Sequence, residues 1–182
     1  LKKNSKLKNL FIQGNQSNAF FHKFLKNKLF LNSDYSNLIF SSGLKFNKLD
    51  IECDLEEENS KCNILSALFL KKGEHQEIKT LINHLAPNCK SNQKVKNVLS
   101  SECKGVYQGK IYVKDIAQKT DAYQLSKALM LDDKAEFNSK PELEIYADDV
   151  KCSHGSSSGS IDQDSLHYLM TRGLNRNEST KL

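Results

Sequence analysis

Tryptophan is absent from this 182-residue chain, and 25 of its 27 basic residues are lysine rather than arginine. Nucleic-acid recognition relies on clustered arginine and on aromatic platforms, so the net charge of +5, spread along the chain, predicts no nucleic-acid partner. Aromatic residues make up 8% of the chain, which argues against a carbohydrate-cleaving groove. No apolar run approaches the ~20 residues that a membrane-spanning helix needs, and we predict no membrane partner.

The five cysteines are odd in number and contain no C-x-x-C pair. Both features argue against a disulfide scaffold and against a zinc finger. A reducing compartment is therefore expected, either the cytoplasm or an organelle stroma. Three of the cysteines have no partner at ligand spacing, and we predict that they are core or surface thiols: Cys53, Cys62 and Cys103.

The usual enzyme motifs are also missing. The run Gly155–Ser160 lacks the Gly-Lys-Ser/Thr ending of a phosphate-binding loop, and no Gly-x-Gly-x-x-Gly is present. Ser153 and His154 are adjacent in a predicted strand and would point to opposite faces, so they do not form a nucleophile–base pair. We predict a turn at Asp148-Asp149, a flexible connector over residues 155–160, and no self-sufficient active site.

Short β-like runs separated by turn residues dominate the chain from Leu44 onwards and predict an all-β body. A sandwich, a barrel and a parallel β-helix all remain open, because no fixed-period repeat is visible. Residues 1–40 are ambiguous, since their apolar cluster fits either a helix or two short strands. The main β-like runs are Ile64–Leu70, Glu77–Leu81, Val95–Leu99, Val106–Tyr107, Lys110–Val113 and Leu143–Ala147.

The most informative stretch follows Pro141. If residues 150–154 are extended, Val150, Cys152 and His154 share one face of a strand, with the thiol and the imidazole roughly 6.6 Å apart along it. Both groups are ligands for transition metals. The alternative is a buried thiol that acts as a small apolar group beside a hydrogen-bonded histidine. His84 with Cys89 is a weaker candidate ligand pair.

An amphipathic helix is predicted after residue 160, with Asp162 as its N-cap and Gly173 as its C-cap. Its apolar face needs a covering surface, either the β-body of the same chain or a partner. The residues predicted to form a partner interface are Leu166, Leu169, Met170, Arg172 and Gly173.

The run Lys140–Gly159, followed by Ile161-Asp162 and Tyr168–Gly173, resembles the C-terminal signature of the SufB/SufD family of iron–sulfur cluster assembly scaffolds. Gly105–Val113 and Ala117–Ala122 match the same family in the same order. A looser match, to a His…Cys-x-Ser-x-Gln pattern, runs from His84 through Cys89 and Ser91 to Gln93. The clear resemblance covers residues 78–178. It is closer to SufD than to SufB, because the last predicted strand reads Cys-Ser-His-Gly.

The resemblance implies a mainly β protein: a right-handed parallel β-helix over residues 1–159, followed by the start of a small C-terminal helical domain over residues 160–182. It also implies a non-catalytic scaffold that works with a SufB-like subunit and a SufC-like ABC-type ATPase. A transient iron–sulfur cluster would be shared with the SufB-like subunit, close to His154. Cys152 matches its family position as a ligand or as a packing residue, and flavin binding is left open. The implied location is the cytoplasm or, alternatively, the plastid stroma.

Two other functions compete with this one. The first is a stand-alone metal-binding or carbohydrate-active β-helix protein. The second is a SufB-like chain that keeps its own cluster, which would need several cysteine ligands at useful spacing.

The ends of the chain lead to a further expectation. Leu1 is not an initiator methionine, and Asn175-x-x-Glu178 resembles a capping box only a turn before the last residue. We therefore expect residues beyond both ends in the native protein. An intact mass of the native gene product near 20.7 kDa would contradict this expectation.

Overall fold

The structure, a computed structural model, describes residues 1–179 of the chain. Within this range the chain forms eleven β-strands followed by two short helices. The strands are β1 (Lys6–Gln13), β2 (Ser17–Leu29), β3 (Asp34–Ser41), β4 (Leu44–Leu55), β5 (Lys61–Leu70), β6 (His75–His84), β7 (Lys90–Leu99), β8 (Lys104–Val113), β9 (Thr120–Met130), β10 (Glu136–Ile145) and β11 (Val150–Ser160), and the helices are α1 (Gln163–Thr171) and α2 (Arg176–Ser179).

The strands build two parallel sheets. Odd-numbered strands form one sheet in the order β1-β3-β5-β7-β9-β11, and even-numbered strands form the other in the order β10-β8-β6-β4-β2. The chain therefore alternates between the sheets and advances by one coil with every two strands. This is a parallel β-helix of about five coils, as the family resemblance implies, and not a sandwich or a barrel. Residues 1–40, ambiguous in sequence, contribute to three of its strands.

The coils differ in length, which explains why the sequence shows no fixed repeat. Leu25 of β2 pairs with Ile51 of β4, and Lys104 of β8 pairs with Glu136 of β10. The second pair is separated by more residues of the chain than the first. The registers within the strands are nevertheless regular over most of their length, and the differences fall mainly in the connections between them. The repeat is therefore spatial, and a search for a constant spacing in sequence misses it.

One corner of the coil repeats the same backbone turn five times. In each coil one residue of this turn lies in the left-handed region at φ 56–60°: Asn4, Asn32, Asn59, Asn88 and Lys119. Each of these residues donates its backbone N–H to a carbonyl oxygen of the next coil, for example Asn88 to the oxygen of Gln118 at 2.9 Å. Asparagine tolerates this conformation better than other residues with a side chain. Asparagine abundance in the sequence is thus partly a structural requirement.

Side chains alternate between the interior and the outside along each strand. The interior is mostly apolar and well buried, with Ile39, Ile64, Ile82 and Leu99 at 1% exposure or less. The outer face of the even-numbered sheet instead carries ion pairs between neighbouring strands. Examples are Lys26–Glu52 at 2.7 Å, Lys48–Glu77 at 3.5 Å and Lys104–Glu136 at 3.5 Å.

Two sequence-based expectations are wrong in this region. Residues 155–160 are not a flexible connector, because they pair in register with residues 125–130 and extend β11 to Ser160. The strand predicted over 143–147 begins at Glu136 and ends at Ile145, so Pro141 lies inside it. Proline is tolerated there because β10 is the edge strand of its sheet.

We expect Asn59→Ala to lower the free energy of unfolding by about 1 kcal/mol. Any residue with a Cβ meets a clash with the carbonyl group in the left-handed region, and alanine lacks the short polar side chain whose local hydrogen bonds offset that clash for asparagine. Asn59→Gly removes the clash and should stay within about 0.5 kcal/mol of the wild type. Asn63→Ala, in the extended backbone of β5, is the matched control. Chemical denaturation measures all three, and an equal loss in the two alanine variants would contradict the corner argument.

Candidate functional site at the last coil

The last coil brings the predicted metal-ligand residues to an open edge. Val150, Cys152 and His154 of β11 pair in register with Thr120, Ala122 and Gln124 of β9. These three β9 residues are all 1% exposed or less, so the β11 residues continue inward-facing columns. Lys151 and Ser153 continue outward-facing columns. The prediction that the thiol and the imidazole share one face is confirmed.

Cys152 is half-buried in a small apolar cluster. It packs with Leu143 and Val150 against a group of buried side chains from the preceding strands and their connections: Ile111, Val113, Ala117, Ala122 and Ala147. Burial raises the pKa of the Cys152 thiol above its ordinary value. Because the thiolate is the form that binds metals, this thiol by itself is better suited to packing than to ligation.

His154 has a different environment. Its side chain is exposed, and it makes no hydrogen bond to any residue in the range 1–179. Within the same range, no group of three or more His, Cys, Asp or Glu side chains is placed to hold a metal ion. His154 can therefore serve as a single ligand, and any metal bound there needs further ligands from elsewhere.

The two edge strands of the last coil differ in how readily they accept another strand. β10 carries Pro141, which has no N–H, together with the charged residues Lys140, Glu142 and Glu144. Proline and charge at an edge obstruct further pairing. The second half of β11, from Gly155 to Ser160, contains only glycine and serine, and no described strand pairs with its outer edge. β11 is thus the unprotected edge, and His154 lies on it.

The helix after β11 is only partly as predicted. Asp162 is the N-cap, as expected, and its carboxylate accepts from the backbone N–H groups of Asp164 and Ser165. The C-cap is Arg172, and Gly173 follows it at φ 96° rather than serving as the C-cap itself. The capping box after α1 is confirmed, because Asn175 and Glu178 bond each other's backbone N–H at 3.0 Å.

The predicted partner-interface residues divide into two groups. Leu166 is 4% exposed, so it packs within this chain and is not available to a partner. Leu169 is half-buried. Met170 is 41% exposed. Arg172 and Gly173 are exposed, and the Arg172 guanidinium stacks on the Tyr168 ring at 5.0 Å from its centroid.

The remaining thiols and His84 are structural. Cys53, Cys62 and Cys103 are buried in the main core. His84 and Cys89 are buried too, but they bond different residues: His84 Nε2 lies 2.9 Å from Ser91 Oγ, and Cys89 Sγ lies 3.2 Å from Ser60 Oγ. Burial lowers the pKa of His84 from 6.5 to about 4. The residues are thus held apart by separate hydrogen bonds rather than arranged as a ligand pair.

Comparison with known proteins identifies the family. The domain model described as "SUF system FeS cluster assembly, SufBD core domain" matches residues 1–182. The chain belongs to the SufB/SufD family. No helix within residues 1–179 is both long and apolar enough to cross a bilayer.

Several curated members of the SufB/SufD family are similar to the chain. It is 35% identical over 170 residues to the iron–sulfur cluster assembly protein SufD of Escherichia coli, covering 91% of this chain and 40% of that protein. It is 34% identical over 143 residues to a SufBD family protein of Synechocystis, covering 79% and 32%. The chloroplastic protein ABCI7 of Arabidopsis thaliana is 39% identical over 97 residues, covering 53% and 20%. The chain thus spans at most two fifths of the length of these relatives.

Sequence reasoning missed one residue of the candidate site. Gln124 lies directly beneath His154 in the inward column and is fully buried. Only the strand register reveals this, because the two positions belong to successive coils and are far apart in sequence.

The low pKa of His84 predicts an acid-sensitive fold. The unfolded chain binds a proton at this site below pH 6.5 and the folded chain only below about 4, so stability falls as the pH drops through this window. Between about pH 7 and about pH 5 we expect a loss of about 2 kcal/mol from this residue. His84→Gln should remove that part of the pH dependence, as measured by urea unfolding at both pH values. His167→Gln, on exposed helix surface, is the control, and an unchanged pH dependence in His84→Gln would contradict the assignment.

Proposed function

We propose that this chain is part of a SufD-like scaffold subunit, itself non-catalytic, that assembles iron–sulfur clusters with a SufB-like subunit and a SufC-like ABC-type ATPase. Membership of the SufB/SufD family and the 35% identity to SufD of Escherichia coli support the proposal. The iron–sulfur cluster is the cargo of this assembly. The cytoplasm is the proposed location, with the plastid stroma as the alternative that the chloroplastic relative supports.

The observation that carries the proposal is the position of His154 on the unprotected edge of β11. A strand from a SufB-like partner that pairs with this edge would bring its own side chains to within one strand spacing, about 4.8 Å, of the imidazole. Gly155 and Ser156–Ser160 offer no bulky or charged side chain to oppose that approach. The missing ligands would then come from the partner.

A site divided between two chains suits a cluster that must be handed on. Neutral imidazole and thiolate both bind iron, and separating or rearranging the two chains removes part of the ligand set at once. ATP hydrolysis by the SufC-like subunit would drive that rearrangement. The exposed residues Tyr168, Met170 and Arg172 at the start of the helical region are proposed as the beginning of the ATPase-facing surface. Cys152 is a secondary candidate ligand, because its half-buried thiol must lose a proton first.

The two competing functions have less support. A stand-alone metal-binding protein needs a cluster of ligands, and residues 1–179 contain no group of three. A SufB-like chain that keeps its own cluster needs accessible cysteines, whereas Cys53, Cys62, Cys89 and Cys103 are all buried.

The test of His154 uses the parent protein produced together with its SufB-like and SufC-like partners. His154→Ala should lower the iron and sulfide content of the purified complex about tenfold or more, since a ligand contributes at least as much as the outer residues that support it. The complex itself should still form, because the side chain is exposed and makes no contact that holds the fold.

His167→Ala is the matched control, since His167 is also an exposed histidine and lies on α1. Equal iron and sulfide loading in the two variants would reject the role of His154. Failure of the parent protein to co-purify with either partner would reject the scaffold function as a whole. A parent protein that emerges alone with bound iron or zinc would favour the stand-alone metal-binding function.

A further inference from the structure

A single column of inward-facing side chains leads from the interior of the β-helix to His154. The strand registers place Ile64, Gln93 and Gln124 one above another beneath it. All three are 0% exposed. Between Ile64 and His154 the column consists of two amide side chains. Burying an amide group costs more free energy than burying an apolar side chain in the same place.

Gln124 is held in place by an arrangement that requires a glycine. Its Nε2 donates to the backbone oxygen of Gly109 across the interior at 3.2 Å. A Cβ at position 109 would lie 2.2 Å from that Nε2 and 2.4 Å from the hydroxyl of Tyr107. Only glycine leaves room for the amide and the hydroxyl above this backbone. The amide group of Gln124 is therefore fixed at one end.

The other end of the Gln124 amide has no partner. Its Oε1 is fully buried and accepts no hydrogen bond from any residue in the range 1–179. A buried acceptor without a donor is destabilising. One strand away in the same column lie Gln93 towards the interior, whose Nε2 makes no hydrogen bond to a described residue, and His154 towards the open edge. Neighbouring strands are about 4.8 Å apart. His154 in turn has no hydrogen-bond partner among the described residues.

We propose that Gln124 is a positioning residue for His154: its Oε1 accepts a hydrogen bond from one imidazole N–H and thereby fixes the ring and its tautomer. The other ring nitrogen then carries the lone pair and faces the open edge of β11. Histidines that bind metals commonly donate their second N–H to a carbonyl or carboxylate, which orients the ring and raises its basicity. The inference rests on the proposed function, because it assigns His154 the role of a ligand.

The experiment measures the tautomer of His154 directly. The full-length parent protein, free of cluster and labelled with ¹⁵N-histidine, is studied by long-range ¹⁵N–¹H correlation spectra at about pH 8, where an ordinary imidazole is neutral. The His154 signal is assigned by its loss in His154→Ala. We expect one dominant tautomer in the wild type. Gln124→Met, which keeps the length of the side chain but removes the acceptor, should shift the tautomer ratio about fivefold.

Two further variants separate this role from general packing. Gln124→Glu retains an acceptor for the imidazole, and its carboxyl group in the protonated form can still donate to the backbone oxygen of Gly109. It should therefore keep the wild-type tautomer, and it tests the proposal even if Gln124→Met folds poorly. Gln93→Met alters an equally buried glutamine one coil deeper and should leave His154 unchanged. An unchanged tautomer ratio in Gln124→Met would overturn the proposal. The proposal would also fail if Gln93→Met or Gln124→Glu shifted the tautomer ratio as much as Gln124→Met does.

The outcome is distinguishable from failure of the proposed function. If His154→Ala leaves the iron and sulfide content of the complex unchanged while Gln124→Met shifts the tautomer, the ligand role fails and the hydrogen bond stands. If His154→Ala lowers the content while Gln124→Met leaves the tautomer unchanged, the ligand role stands and Gln124 has no part in it.

Discussion

Parallel backbone pairing between successive coils is the constraint on which the rest of this structure depends. Each strand is bonded only to the coil before it and the coil after it, so the register of one coil determines which residues of the next face inward. A slip of one residue would exchange the interior and exterior faces of a strand. Three features described above follow from this register. They are the left-handed corner residues that recur once per coil, Asn4 first and Lys119 last, the close approach at Gly109 and the inward position of His154.

The interior is not uniform along the stack. Aliphatic side chains and thiols fill most of it, but buried polar residues occur from Asn37 in β3 to Gln124 in β9. Thr80, Tyr107 and Gln93 are joined by hydrogen bonds, and Gln124 lies next to Gln93. Buried polar atoms without partners, such as Oε1 of Gln124, lower stability. A sequence selected only for packing would place apolar residues there. Gln124 is the member of this polar group that lies next to the exposed histidine.

Local chemistry was predictable from sequence, and long-range register was not. Three predictions that rest on short spacings in the sequence are confirmed. They are the shared face of Cys152 and His154, the N-cap Asp162 and the capping box of Asn175 and Glu178. Residues 155–160 have the glycine and serine composition of a flexible linker, but pairing with β9 holds them extended. The unequal lengths of the coils hid the repeat and, with it, the position of Gln124 beneath His154.

A stack in which each layer touches only its neighbours frays from its ends. β11 is bonded on one side alone, so its amide protons should exchange with solvent sooner than those of β5 or β7, which are bonded on both sides. The candidate ligand therefore lies in a terminal layer, which opens more easily than the layers inside the stack. A bound partner strand would convert that layer into an interior one. Binding of the partner strand and the rigidity of β11 would then be coupled, and release of the partner would return His154 to a strand that is bonded on one side alone.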